Sequence, residues 1–152
     1  AHSNGYSLIN KLIKESDLSK VKREKLIKLA LKPTHLYTNV ILNLVKKIKV
    51  KSIANITGGG LTENIPRSIP NNLSSEIYLD NWKMPLFFRT LQKLGNVQTT
   101  DMLRIFNCGI GMTVVIEPKD VSATMKVLSK HKLKAYIIGK VINKSSTRIN
   151  FL

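Results

Sequence analysis

The segment TGGGLTENIPR, Thr57–Arg67, constrains this chain more than any other stretch of similar length. Gly58, Gly59 and Gly60 leave three successive positions without a Cβ, free to take positive φ and to approach a ligand closely. Val50–Ile56 before them alternates as a strand, and Leu61–Ile65 after them reads as a short helix start. A glycine turn that leaves a strand and opens a helix exposes backbone N–H groups at the positive end of the helix dipole. It is a candidate phosphate cradle, in the strand–turn–helix context where a glycine cluster means most.

With 152 residues and 43% hydrophobic content, the chain reads as one domain with a core of its own. It has no apolar run of membrane-spanning length. The opening AHSNGYS carries neither a basic n-region nor an apolar h-region. The single cysteine, Cys108, cannot pair within the chain, which fits a reducing compartment. A cytoplasmic location with no membrane partner is expected. The net charge of +16 first suggests a nucleic-acid binder. Its lysines, however, are scattered along the whole chain, and 6% aromatic content is too little for a base-stacking platform. The expectation is a solvated basic surface that steers anionic substrates, with no nucleic-acid partner. A basic nucleic-acid-binding module is the alternative from another function class.

Helical and strand periods are interleaved along the sequence. Tyr6, Leu8, Ile9, Leu12 and Ile13 follow helical spacing behind the caps Ser3 and Asn4. Lys14–Lys25 reads as a loop and short surface helix leading into Leu26–Leu31. An amphipathic helix is expected from Pro33 and Thr34, with Leu36, Val40, Ile41, Leu44 and Val45 on one face. Pro66 and Pro70 should stop the helix that follows the glycines. A short strand is expected at Glu76–Leu79. Pro85 opens a helix ending at Gly95 as a left-handed cap, and Thr100–Phe106 is a further short helix. Gly111–Ile116 reads as a buried strand. Pro118–His131 reads as a helix with Val121, Met125 and Leu128 inward. Ala135–Val141 and Arg148–Leu152 read as strands paired in a hairpin across Asn143–Ser146. These elements give an α+β (α/β sandwich) class: a mixed β-sheet packed with helices and a terminal β-α-β-β unit.

Three motifs occur in order: HSNGYSL at His2–Leu8, TGGGLTENIPR at Thr57–Arg67 and FNCGIGM at Phe106–Met112. PTHLY at Pro33–Tyr37 and GNV at Gly95–Val97 are weaker companions. Together they resemble the C-terminal domain of the phosphoribosylformylglycinamidine cyclo-ligase (aminoimidazole ribonucleotide synthetase) family, over essentially the whole chain. The resemblance implies the fold of that superfamily's C-terminal domain, with residues 1–152 as a single synthetase domain. It also implies a purine-biosynthesis ligase that converts formylglycinamidine ribonucleotide and ATP to aminoimidazole ribonucleotide, ADP and phosphate. ATP would phosphorylate an amide oxygen, a poor leaving group, and the amidine nitrogen would then close the ring and expel phosphate. Positioning and electrostatics dominate such a step. Related ATP-dependent phosphoryl-transfer enzymes of the formylglycinamidine synthetase, selenophosphate synthetase or thiamine phosphate kinase type are the runner-up, but ENIPR and FNCGIGM favour the cyclo-ligase.

On matching positions, the resemblance implies His2 and Asn4 as catalytic groups at a domain junction. It implies Ser3, Gly58, Gly59, Gly60, Asn64, Arg67 and Asn107 as substrate- or phosphate-binding groups, with no metal ligand in this chain. Arg67 is the fork-shaped donor of its motif and suits a phosphate, or else pairs with Glu63 four residues earlier. Cys108 reads as a small buried filler, Trp82, Phe87 and Phe88 as packing, and His35 and His131 as structural or solvated residues. The family's usual His before Ile-Thr is Asn55 here, which hydrogen-bonds but moves no proton at neutral pH. Its usual Thr before Phe-Asn is Ile105, and its usual basic residue after Pro-Thr is His35. Family members are about twice as long. The resemblance therefore implies an N-terminal nucleotide-binding domain outside this chain, supplying most of the ATP and magnesium contacts and the homodimer contact. The chain alone is expected to be inactive.

Overall fold

The computed structural model describes His2 and residues 4–152. Among these residues seven α-helices and five strands are interspersed, a mixed helix-and-sheet protein. The chain divides into two compact units. One holds the segment up to His35, Ile56–Asn64 and Lys83–Gly111; the other holds Leu36–Asn55, Ile65–Trp82 and Met112–Leu152.

The first unit is helical. Helix α1 (Tyr6–Glu15) buries Ile9, Leu12 and Ile13, the spacing of one helical stripe. The charged stretch after it is more ordered than expected, for α2 runs over Lys20–Ala30 and buries Leu26 and Ala30. Two side chains tie α1 and α2 together through orphan carbonyls of their last turns. Arg23 Nη1 donates to the Ile13 carbonyl at 2.6 Å, and Tyr6 Oη donates to the Ala30 carbonyl at 3.0 Å. In the same unit α5 (Leu86–Leu94) buries Phe87, Phe88 and Leu91, and α6 (Thr99–Ile105) buries Met102 and Leu103. Phe88 lies 5.3 Å from Phe87 and 5.4 Å from Phe106 between ring centroids, so an aromatic cluster fills the space beside both helices. Gly95 after α5 has φ −96° and is no left-handed cap; that conformation falls to Asn96, at φ 45°.

The second unit carries both sheets. Strand β1 (Ser52–Asn55) pairs antiparallel with β3 (Met112–Val115), Ser52 opposite Val115 and Asn55 opposite Met112. β3 is half-buried along its length rather than fully buried. Helix α3 (Thr38–Val45) starts later than Pro33 suggested. It packs on α7 (Val121–Lys130) around Leu44, Ile48 and Val127, with Ile41, Val50, Val114 and Ile116 against them. α7 therefore turns Thr124 and Val127 inward rather than Val121 and Leu128. The segment Pro118–Asp120 before it forms a separate 3-10 turn. Asn43 Nδ2 meets His131 Nε2 at 2.9 Å, which gives that histidine a structural place.

The second sheet corrects the hairpin. Its order is β4 (Gly139–Asn143), β2 (Leu73–Ile77), β5 (Ile149–Phe151), so the last two strands do not pair with each other. They flank β2, β4 antiparallel and β5 parallel to it. Buried Ser74 explains the detour. Its hydroxyl donates to the Thr147 carbonyl at 2.7 Å and accepts from the Ser145 N–H at 3.0 Å, pinning the 144–148 loop across the middle strand. Small serines at the centre of β2 also read as a break in a strand, which is why its expected start lay at Glu76. Helix α4 (Gly60–Arg67) runs one residue past Pro66. Beyond it, Arg148 gathers the end of the segment, donating to the carbonyls of Pro66 at 2.7 Å and Ile69 at 3.0 Å and to Asn71 Oδ1 at 2.7 Å.

Candidate functional site

The three motifs meet in the first unit through one side chain. Asn4 is 6% exposed, and its Nδ2 donates to the Thr57 carbonyl at 2.9 Å and to the Ile105 carbonyl at 2.7 Å. Those two carbonyls lead into the glycine turn and the FNCG turn respectively. Asn4 thus does not cap α1, whose N-cap is Gly5. Its two donors fix the amide orientation and leave Oδ1 buried without a hydrogen-bond partner among the described residues. Because the contact at position 105 is a backbone carbonyl, Ile105 serves it as well as a threonine would.

The glycine turn is held from both sides. Asn64 Nδ2 donates to the carbonyls of Gly58 at 3.0 Å and Gly60 at 2.8 Å. The Gly60 N–H bonds the Thr57 carbonyl at 3.0 Å, and the Glu63 N–H bonds that of Gly59 at 3.1 Å. With its carbonyls so engaged, the turn leaves the N–H groups of Gly58, Gly59, Leu61 and Thr62 with no backbone partner among the described residues. Gly60 has φ 56°, and a Cβ there would overlap the carbonyl oxygen of Leu103 and lie 2.7 Å from that of Phe106. The turn is therefore seated on the C-terminal end of α6. Gly58 has open space around it. Glu63 folds back against Gly59, and Arg104 Nε lies 3.9 Å from its Oε1.

The FNCG segment makes the second turn. Asn107, 3% exposed, accepts the Gly109 N–H on Oδ1 at 3.0 Å, and its carbonyl accepts the Ile110 N–H at 2.8 Å. Its side-chain oxygen thus closes its own turn. Cys108, fully buried with Sγ 3.3 Å from the Met102 carbonyl, is the filler expected; burial pushes its thiol pKa up to about 12. The Ile56 N–H bonds the Gly111 carbonyl at 3.0 Å, linking this turn to the approach of the glycine motif. His2 stands 6.3 Å from His35 between ring centroids, at 67°. Burial above all holds the His2 imidazole below its ordinary pKa, so the ring is neutral at neutral pH and offers one acceptor nitrogen.

His2, Asn4, the three glycines, Asn64 and Asn107 therefore share one unit and, His2 apart, are hydrogen-bonded through their motifs. Ser3 lies outside the described residues. Arg67 is exposed at the far end of α4 from the glycines, and Asn55 is exposed at the end of β1. Sequence reasoning passed over Arg104, which contacts the glycine-turn carboxylate; its only signal was a basic residue two places before the FNCG motif. No group of three or more His, Cys, Asp or Glu side chains among the described residues is arranged to hold a metal ion.

Comparison with known proteins agrees with this constellation. The family described as AIR synthase related protein, C-terminal domain, matches residues 1–151. A phosphoribosylformylglycinamidine cyclo-ligase of Staphylococcus aureus strain bovine RF122 / ET3-1 is 43% identical over 154 aligned positions, covering 99% of this chain and 45% of that protein. The enzymes of the same name from strains Newman and USA300 / TCH1516 are 42% identical with the same coverage. The chain thus spans about half the length of the curated relatives it matches.

Proposed function

The chain belongs to the AIR synthase related family, matching its C-terminal domain, and we propose that it supplies the C-terminal half of a phosphoribosylformylglycinamidine cyclo-ligase. The reaction is the ATP-dependent ring closure of formylglycinamidine ribonucleotide to aminoimidazole ribonucleotide, with release of ADP and phosphate. One observation carries the reading: Asn4 joins all three motifs of the resemblance through two carbonyls. A turn stripped of spare carbonyls and rich in free N–H groups suits an oxyanion of the phosphorylated substrate. Neutral His2 stands in the first of the joined motifs, where it can take a proton from the attacking nitrogen. Asn4 and Asn107 fix the backbone around the reacting group, Ser3 adds a hydroxyl beside them, and Arg67 offers a fork for a second phosphate.

Magnesium does not fit this half, since no carboxylate cluster is available among the described residues to hold it. The nucleotide, the metal and the homodimer contact are assigned to the upstream half of the full-length enzyme, in the cytoplasm. The fold is taken as that of the C-terminal domain of the aminoimidazole ribonucleotide synthetase-like superfamily. The test is complementation with the separately produced upstream half of a full-length relative. ATP-dependent formation of aminoimidazole ribonucleotide should need both pieces. Turnover by this chain alone, or none by the pair when each half is folded, overturns the proposal.

A further inference from the structure

Resting on the phosphate reading of the glycine turn, we infer that Glu63 is the turn's resident anion, displaced when a phosphoryl group arrives, and that Arg104 passes from one anion to the other. Gly59 has φ 89°, and a Cβ added to it would lie 2.7 Å from Glu63 Oε2 and 2.8 Å from Glu63 Cβ and Cδ. The missing side chain at position 59 is thus filled by the folded-back glutamate. A carboxylate there lies in the first turn of α4, where the helix dipole favours negative charge. It covers the same ground that a phosphoryl oxygen would take, and two anions cannot share it.

The hold on Glu63 is light. Its partner Arg104 is 3.9 Å away, and the two side chains are 37% and 70% exposed, the regime in which ion pairs contribute little. Arg104 belongs to α6, on whose end Gly60 is seated, so its guanidinium stays beside the turn when the carboxylate leaves. A phosphoryl group then meets the free N–H groups together with a fork-shaped cation suited to bidentate contact. Independently of the turn, Asn4 keeps Oδ1 buried without a partner on the same rigid amide that bonds Thr57. That orphan acceptor marks the place as incomplete without a donor-bearing ligand.

The experiment is a titration of this chain with inorganic phosphate, followed by the amide resonances of Gly58, Gly59 and Gly60. Glu63→Gln should tighten phosphate binding about threefold to tenfold, because the competing charge is gone. Glu63→Ala should do the same, which guards against an effect of the new amide. Arg104→Gln should weaken binding several-fold in the wild-type background and in Glu63→Gln. Binding at the turn that Glu63→Gln leaves unchanged or weakens overturns the exchange while leaving the phosphate reading intact. No phosphate-dependent shift at the turn in any folded variant overturns both.

Discussion

Gly58 and Gly60 are two places apart yet have different reasons to be glycine. Alanine at position 60 would keep φ 56° and drive a Cβ into the end of α6. Gly60→Ala should cost about 3 kcal/mol or more, read from urea unfolding. Gly58→Ala meets open space and should stay within about 1 kcal/mol of the parent. Cys108 gives a pH signature. Its folded thiol titrates at about 12, above the range of an unfolded thiol, so its contribution is complete below about pH 8.5. It is lost as pH rises from there toward 12, where the unfolded chain gives up the proton first. At pH 9 alkylation of Cys108 should therefore track global unfolding; rapid labelling of folded protein would contradict its burial. At this scale the sequence was legible where a residue type has one use, as with the glycines and the filler cysteine. It was not legible where an amide turns inward. Asn64 and Asn107 read as ligand contacts, yet their side chains are engaged with backbone groups close by in sequence. The same two atoms serve a turn or a ligand equally well.

Most elements could be read from their periods, since α1, α5, α6 and α7 fall within a few residues of their apolar stripes. What failed was pairing. Adjacent strands joined by Asn143–Ser146 look like a hairpin, and nothing local says that a third strand lies between them. That information sits in Ser74, whose hydroxyl pins the loop, and in Arg148, whose guanidinium reaches back to the end of α4. Both are contacts with segments more than seventy residues away in sequence. Arg148→Met keeps the stem and removes the donors, leaving two carbonyls and an amide oxygen short of partners. It should destabilise the chain by about 2 kcal/mol in urea. Amide exchange should quicken first in β5, whose parallel pairing starts at Ile149. Uniform exchange across the sheet would deny Arg148 this local role.

Taken whole, the molecule is basic, and its site residues come from three separate stretches of one unit. The join is long-range, for Asn4 reaches Thr57 across 53 positions and Ile105 across 101. Closing loops of that size costs chain entropy before any contact rewards it. The site is therefore a late product of folding: α1, α5 and α6 can form from local sequence, but the turns are locked to one another only when residue 4 arrives. A contact absent from the transition state changes the unfolding rate and not the folding rate. Asn4→Ala, costing about 2 kcal/mol, should speed unfolding about thirtyfold and leave refolding within about twofold. A refolding rate that drops in proportion would make the first motif a nucleus instead. In the late-arrival case, the chain passes through a state with its helices formed and its phosphate cradle still open. Binding competence then begins only with the final contact.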